Sequence, residues 1–286
     1  GHRENLDVAR TPSRPAPGRV PLLQHLPPED DTRRTNVAAK RASQPRKSVW
    51  LTPRPARGRR AAESGSGAGN LDREKIVATA VRLLDAEGDA QFSMRLLAAE
   101  LNVTPMSVYW YVANKDDLME LALDAVAGEI DLPDLTAGRP WQSDLRALAA
   151  AWRRTMVAHP WAIRSYGEYL NIGPQSMRFS ACAQTVVARS PLPEQERPAA
   201  LSAVFQYVYG FTSMESRWLE YGRESGRTAD EFLEEVAGSV AEAPGIEAGG
   251  GMMERHSGVS IGELRDRDFD RALDWLLAGM CAGLTA

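Results

Sequence analysis

A chain of 286 residues, 43% hydrophobic and 25% charged, has the balance of a soluble globular protein of one or two domains. It contains no apolar run approaching the roughly 20 residues that cross a bilayer, and no apolar core of a secretory signal at its start. The net charge of −4 hides an asymmetry: residues 1–70 carry fourteen Lys+Arg against six Asp+Glu, and residues 119–286 carry fifteen against twenty-four. A basic front end on an acidic body suggests a polyanionic partner.

Residues 1–70 hold nine of the eighteen prolines and no sustained apolar period. Such a stretch cannot bury enough surface to offset the entropy of ordering, so it is expected to be a disordered basic Pro/Arg-rich arm. The arm reads equally as an inert leader or as a DNA-contacting segment built on Arg54, Arg57, Arg59 and Arg60.

From Leu71 onward the texture becomes helical. Asp72 caps a helix that places Ile76, Ala80, Leu83 and Leu84 on one face, and Gly88 stops it. Ser93 begins a second helix, with Met94, Leu97, Ala98 and Leu101 inward. Asn102 suits a left-handed turn residue. Thr104-Pro105 is a cap followed by a first-turn proline, opening a short third helix. Asn114 caps a fourth helix, expected over 115–130, with Asp116 and Asp117 in its first turn, where the macrodipole favours them. Further helices are expected at about 141–158, 161–170, 174–189, 195–222, 228–240 and 264–284, with a loop at 243–258. No β-alternation competes. The expected fold is all-α, with a three-helix helix-turn-helix domain at 71–118 and a helical bundle at 119–286.

Two cysteines, Cys182 and Cys281, and four scattered histidines show no ligand spacing, so no metal and no cofactor are expected. No nucleophile, base and orienting group stand at a recognisable spacing, so the chain is not expected to be an enzyme.

Two helices joined by a tight turn make the DNA-binding helix-turn-helix arrangement. In the third helix Val108 and Val112 suffice to pack it inward. Met106, Ser107, Tyr109, Trp110 and Tyr111 are left outward or flanking, a costly face for mere solvent. Tyr and Trp polar atoms suit phosphates, while Ser and Met suit base edges or thymine methyls. Arg95 can reach a guanine, and Lys115 stands where a phosphate meets a helix N-terminus.

These residues resemble a known family. Residues 71–122, above all VYWYVANKDDL (108–118), look like the N-terminal domain of the tetracycline-repressor (TetR) family of bacterial regulators. RPWQSDLRALAAAWRRTMVAHPW (139–161), GPQSMRFSACAQTVV (173–187) and AALSAVFQYVYGFTSME (199–215) resemble its ligand-binding domain, and FDRALDWLLAGMCAGL (269–284) resembles its closing helix. The resemblance implies a cytoplasmic, homodimeric, sequence-specific repressor released from a palindromic operator by a small, largely apolar effector. The alternative is a TetR-like interaction protein or ligand carrier without operator binding. DNA contact is implied for Ser93, Arg95, Pro105, Met106, Ser107, Tyr109, Trp110, Tyr111 and Lys115.

The long 195–222 helix carries Ala200, Val204, Val208 and Phe211 along one stripe, and the last helix carries Phe269, Ala272, Leu273, Leu276 and Met280. These stripes are expected to form a two-fold four-helix seam, with intramolecular core as the competing explanation. As a set, Trp152, Met156, Tyr166, Met177, Phe179, Phe205, Tyr209 and Met214 are the aromatic and Met side chains an apolar cavity uses, and the resemblance implies that they contact an effector, with plain core packing as the competing explanation for each. Leu148 and Tyr166 stand where tetracycline repressors carry an asparagine and a histidine that hold drug and magnesium. The effector is therefore expected to be other than tetracycline and bound without metal.

Overall fold

The structure, a computed structural model, describes residues 48–51, 71–241 and 260–282. By its contacts the chain divides into Gly1–Arg46 and Lys47–Ala286, and every described residue belongs to the second unit. The described residues are helical and contain no strand.

The reader is α1 (Arg73–Glu87), α2 (Met94–Glu100) and α3 (Pro105–Tyr109). Its helix starts are written locally. The side chains of Asp72, Ser93 and Thr104 each accept a hydrogen bond from the backbone N–H three residues on, Lys75, Leu96 and Ser107, supplying partners the helix itself cannot. Gly88 ends α1 at φ 77°, a conformation that costs glycine little. Asn102 takes φ 53° in the turn between α2 and α3. The inward faces are sealed by Ile76, Ala80, Leu84, Leu97, Val108 and Val112, all buried.

Helix α4 (Lys115–Ala127), capped by Asn114 onto the Asp117 N–H, belongs to both halves. It packs against α1 on one side and against α6 (Pro160–Ser165) and α7 (Pro174–Ala188) on the other. It ends at Ala127, shorter than expected, because Gly128 and the following turn close it. α5 (Trp141–Ala158), α7 and α8 (Arg197–Glu224) enclose the body core, and α9 (Ala229–Ala241) and α10 (Ile261–Ala282) pack on α8.

Three expectations are corrected here. The helix expected over 161–170 stops at Ser165. Residues 166–169 turn, and Asn171 Nδ2 donates to the carbonyls of Tyr166 and Tyr169, fixing a loop instead. The stripe Ala200, Val204, Val208 on α8 and Phe269, Leu273 on α10 is buried within this one chain, so it is core. The face of α8 and α10 left open lies a fraction of a turn away, at Ala203, Gly210, Met214, Trp275, Ala278 and Gly279. Within the arm, Ser48 and Val49 are buried against α4. Most of the arm, including Arg54, Arg57, Arg59 and Arg60, and the loop at 243–258 lie outside the described residues.

Candidate functional site

Helix α3 is five residues long and is held by buried Val108, with Val112 buried just after it, so its outer side chains are presented on a rigid base. Met106, Tyr109 and Trp110 are 66%, 44% and 65% exposed, and Pro105 stands exposed beside them. Ser107 and Tyr111 are half-buried, Tyr111 leaning on the core. Ser107 Oγ lies 2.9 Å from Thr104 Oγ1, so the cap and the reader share one hydroxyl pair. Ser93 and Arg95, at the start of α2, are exposed. Large rings standing in solvent at the tip of a capped helix-turn-helix can offer the Tyr hydroxyl and Trp indole N–H as hydrogen-bond donors to a nucleic-acid backbone.

Lys115 does something further. Its Nζ donates to the carbonyls of Phe92 (3.1 Å) and Asp89 (3.3 Å) and lies 5.4 Å from the centre of the Phe92 ring. It thus staples the turn before α2 to the start of α4, a role its position in the sequence does not reveal.

The body holds a cavity of about 430 Å³ between α5, α7, α8 and the loop after α6. Trp152, Tyr166, Met177, Phe179, Phe205 and Tyr209, six of the eight residues expected at the effector site, line it together. Four of the rings surround Trp152 or one another at centroid distances of 5.4–6.2 Å, tilted or edge-on, the arrangement aromatic quadrupoles favour. Met156 is buried but does not line the cavity, and Met214 points out of the protein at 66% exposure. Met214 is corrected by helix rotation, since it lies off the α8 face carrying Phe205 and Tyr209, whereas Met156 stands one turn beyond Trp152 on the same α5 face and is buried in the core without lining the cavity.

Polar groups join the rings in the cavity wall. Asn171, Ser176, Ser180 and Gln206 line the cavity, none of them expected from the sequence. Isolated polar residues on a loop and on helix flanks have no periodic signal. Burial pushes the Tyr166 phenol above its ordinary pKa, so it remains a neutral hydroxyl inside the wall. Leu148 is buried in the core outside the cavity. Among the described residues, no group of three His, Cys, Asp or Glu side chains could hold a metal ion.

Reader and body meet at a charged joint that the sequence reading also missed. His159, buried at the α5–α6 corner, has Nδ1 2.8 Å from Asp85 on α1 and Nε2 2.9 Å from Glu129 just past α4. Trp161 Nε1 donates to the same Asp85 oxygen at 2.7 Å, and Arg164 bridges Asp89 of the reader to Glu220 of α8. A carboxylate at each ring nitrogen suits an imidazolium that donates from both. Burial alone would lower the His159 pKa, but the bonds and charges of Asp85 and Glu129 outweigh it and raise the value above 6.5.

Comparison with known proteins agrees with this architecture. Residues 76–122 match the sequence model described as bacterial regulatory proteins, tetR family, and residues 132–284 match the tetracyclin repressor-like C-terminal domain. An HTH-type transcriptional regulator of Saccharopolyspora erythraea is 36% identical over 216 residues, covering 74% of this chain and 85% of the relative. The HTH-type transcriptional repressor DrrR1 of Streptomyces coeruleorubidus is 31% identical over 162 residues, covering 57% of this chain and 60% of the repressor. Among solved structures, Streptomyces coelicolor ActR in complex with actinorhodin is 26% identical, covering 75% of this chain and 98% of its own, with a TM-score of 0.60. No described helix is long and apolar enough to cross a membrane. With a matching reader, a matching sensor domain and this geometry, the chain belongs to the TetR family of bacterial DNA-binding transcriptional regulators.

Proposed function

We propose that this chain acts in the cytoplasm as a homodimeric repressor that leaves a palindromic operator when a flat, largely apolar effector enters the body cavity. The observation that carries the reading is the pairing of one exposed aromatic helix, α3, with one aromatic-lined cavity, connected through α4. Ser93, Arg95, Pro105, Met106, Ser107, Tyr109, Trp110, Tyr111 and Lys115 are assigned to DNA. Trp152, Tyr166, Met177, Phe179, Phe205 and Tyr209 are assigned to the effector, with Asn171, Ser176, Ser180 and Gln206 orienting its polar edge. The division taken is a reader over 71–118 and a sensing body over 119–286.

Dimerisation is assigned to the open face of α8 and α10. Trp275 on α10 is 69% exposed and Met214 on α8 is 66% exposed, and Gly210 and Gly279 on the same open face allow close helix approach. A two-fold dimer would set the two α3 helices about one DNA turn apart, ~34–36 Å, for successive major grooves. Moving such a switch from 1:99 to 99:1 requires roughly 10⁴-fold differential effector affinity, about 5.5 kcal/mol. The cavity's rings favour a planar aromatic effector, and the likeness to ActR bound to actinorhodin supports that choice. Metal-assisted tetracycline binding is not part of the proposal, because Leu148 and Tyr166 supply no hard-cation ligand set.

Selection of bound duplexes from a random DNA pool tests the reading. A recovered inverted repeat, bound at nanomolar concentration and lost on adding a cavity ligand, is the expected result. Failure to enrich any duplex would favour a ligand carrier instead. Micromolar, magnesium-dependent binding of tetracycline in isothermal titration would overturn the assignment of effector class.

A further inference from the structure

One face of α4 carries carboxylates at 116, 120 and 124, a spacing of four that lines them up along the helix. Each is committed to a different element. Asp116 accepts from Tyr169 Oη, in the loop before α7, at 3.2 Å. Asp124 accepts from the backbone N–H groups of Gln175 and Ser176, holding the first turn of α7. Glu120 between them is buried, and it accepts from Ser48 Oγ at 2.5 Å and from the Val49 N–H at 3.0 Å. Ser48–Leu51 closes on itself as a turn, with the Leu51 N–H donating to the Ser48 carbonyl. A segment some twenty residues ahead of the reader is therefore seated on the helix that joins reader to sensor.

Trp50 extends the contact to the cavity side. A Cβ added at Gly173, the residue before α7, would lie 2.7 Å from Trp50 Cζ2 and overlap Asp124 as well. Gly173 has an ordinary φ of −67°, so glycine is required there by the close approach of the Asp124 carboxyl first and of the Trp50 ring second, and not by its backbone. The loop ending at Gly173 contains Tyr166, Gly167 and Asn171, three residues of the cavity wall. The Trp50 indole N–H is buried with no acceptor among the described residues, a cost that offsets part of what the Glu120 hydrogen bonds contribute to the seat.

We propose that Ser48–Leu51 is a strap that positions α4: seated, it holds α4 against the loop and first turn of α7 in the operator-competent arrangement, and an effector that displaces this loop works against it. Ser48 and Trp50 are positioning residues in this account, and neither touches effector or DNA. The proposal rests on the regulator reading above. Linkage then requires that loss of the strap weaken operator binding and tighten effector binding together.

The test compares the full chain with Trp50→Ala and with Ser48→Ala/Trp50→Ala. The operator is the selected duplex, and 8-anilinonaphthalene-1-sulfonate serves as the cavity probe, its site checked by loss of signal in Phe205→Ala. Amide hydrogen exchange is read over 118–124 and 175–178, with 145–152 of α5 as the fold control. The strap predicts five- to tenfold weaker duplex binding, severalfold tighter probe binding, and faster exchange at 175–178 with α5 unchanged. Unchanged affinities for both partners would overturn it, and so would a joint loss of both, which marks a merely structural segment. If the unaltered chain binds no duplex, the regulator reading fails by itself. Exchange still decides the strap in that case, because unaltered protection at 175–178 in the variants overturns it.

Discussion

Reader and body use the same side chains in opposite ways. In the reader, Tyr109 and Trp110 stand out from a helix pinned by two buried valines. In the body, Trp152, Tyr166, Phe179, Phe205 and Tyr209 turn toward one another around a void. Aromatic content alone says nothing about function. What distinguishes the two settings is whether the backbone leaves a ring facing water or facing other rings, and α4 is the element through which one setting can influence the other.

The contrast is sharpest for the outward set. Tyr109→Ala/Trp110→Ala should weaken operator binding by roughly a hundredfold or more per half-site, taking two contacts to charged groups of about 1.5 kcal/mol each, about 3 kcal/mol per protomer. Fluorescence anisotropy would read that loss, while the melting temperature and cavity-probe affinity stay unchanged. Lys115→Ala is a poorer choice, because removing its bonds to Phe92 and Asp89 would loosen the reader itself.

A second outward ring, Trp275, is expected to serve the dimer instead. Trp275→Glu should raise the dimer dissociation constant roughly 30-fold or more, the range of an interfacial aromatic anchor at about 2 kcal/mol or above. Analytical ultracentrifugation would show the change, and operator binding should fall with it. A dimer of undiminished strength would remove Trp275 from the seam.

For the inward set, Phe205→Ala should reduce cavity-ligand affinity about tenfold, with operator affinity unaltered, since one ring contact contributes roughly 0.5–1.5 kcal/mol beyond its buried area. Equal losses of both affinities would show that the cavity rings serve only the fold.

The joint between the two regions should respond to pH. His159 is raised above its ordinary value of 6.5, so its stabilisation is fully present below that pH and is lost as pH rises through the folded value. Operator affinity and thermal stability should therefore decline modestly from pH 6.5 upward, and His159→Gln should flatten that decline. A His159→Gln profile parallel to the unaltered chain would clear the joint of any role.

The reader was legible in the sequence because its signals are local. Asp72, Ser93, Thr104 and Asn114 each cap a helix through an N–H three residues away, and Asn102 marks its own turn. The cavity was legible in part, because bulky rings at helical spacing reveal that a face is apolar. They do not reveal which of two adjacent stripes turns inward. That ambiguity placed Met214 in the cavity and Val204 in the seam, when the helix rotation leaves Met214 exposed and buries Val204 in the core. Ser48–Leu51 was hidden for a different reason. Four residues are too few to show periodicity, and the proline-rich flanks around them argue for disorder. The His159 joint was hidden because its three bonds, two from His159 and one from Trp161 to the shared Asp85, join residues 30 to 76 positions apart that no spacing rule connects.

The distance between the two α3 helices tests the central claim most directly. Pulsed dipolar spectroscopy on Ala113→Cys, spin-labelled in a chain whose Cys182 and Cys281 are replaced by serine, reads it across the dimer. The account predicts a narrow distribution compatible with successive major grooves, about 34–36 Å between recognition helices, in the presence of the selected duplex. It also predicts a shift of several ångströms when a cavity ligand is added. A separation too great for one duplex face in every state, or one that no cavity ligand moves, would contradict it.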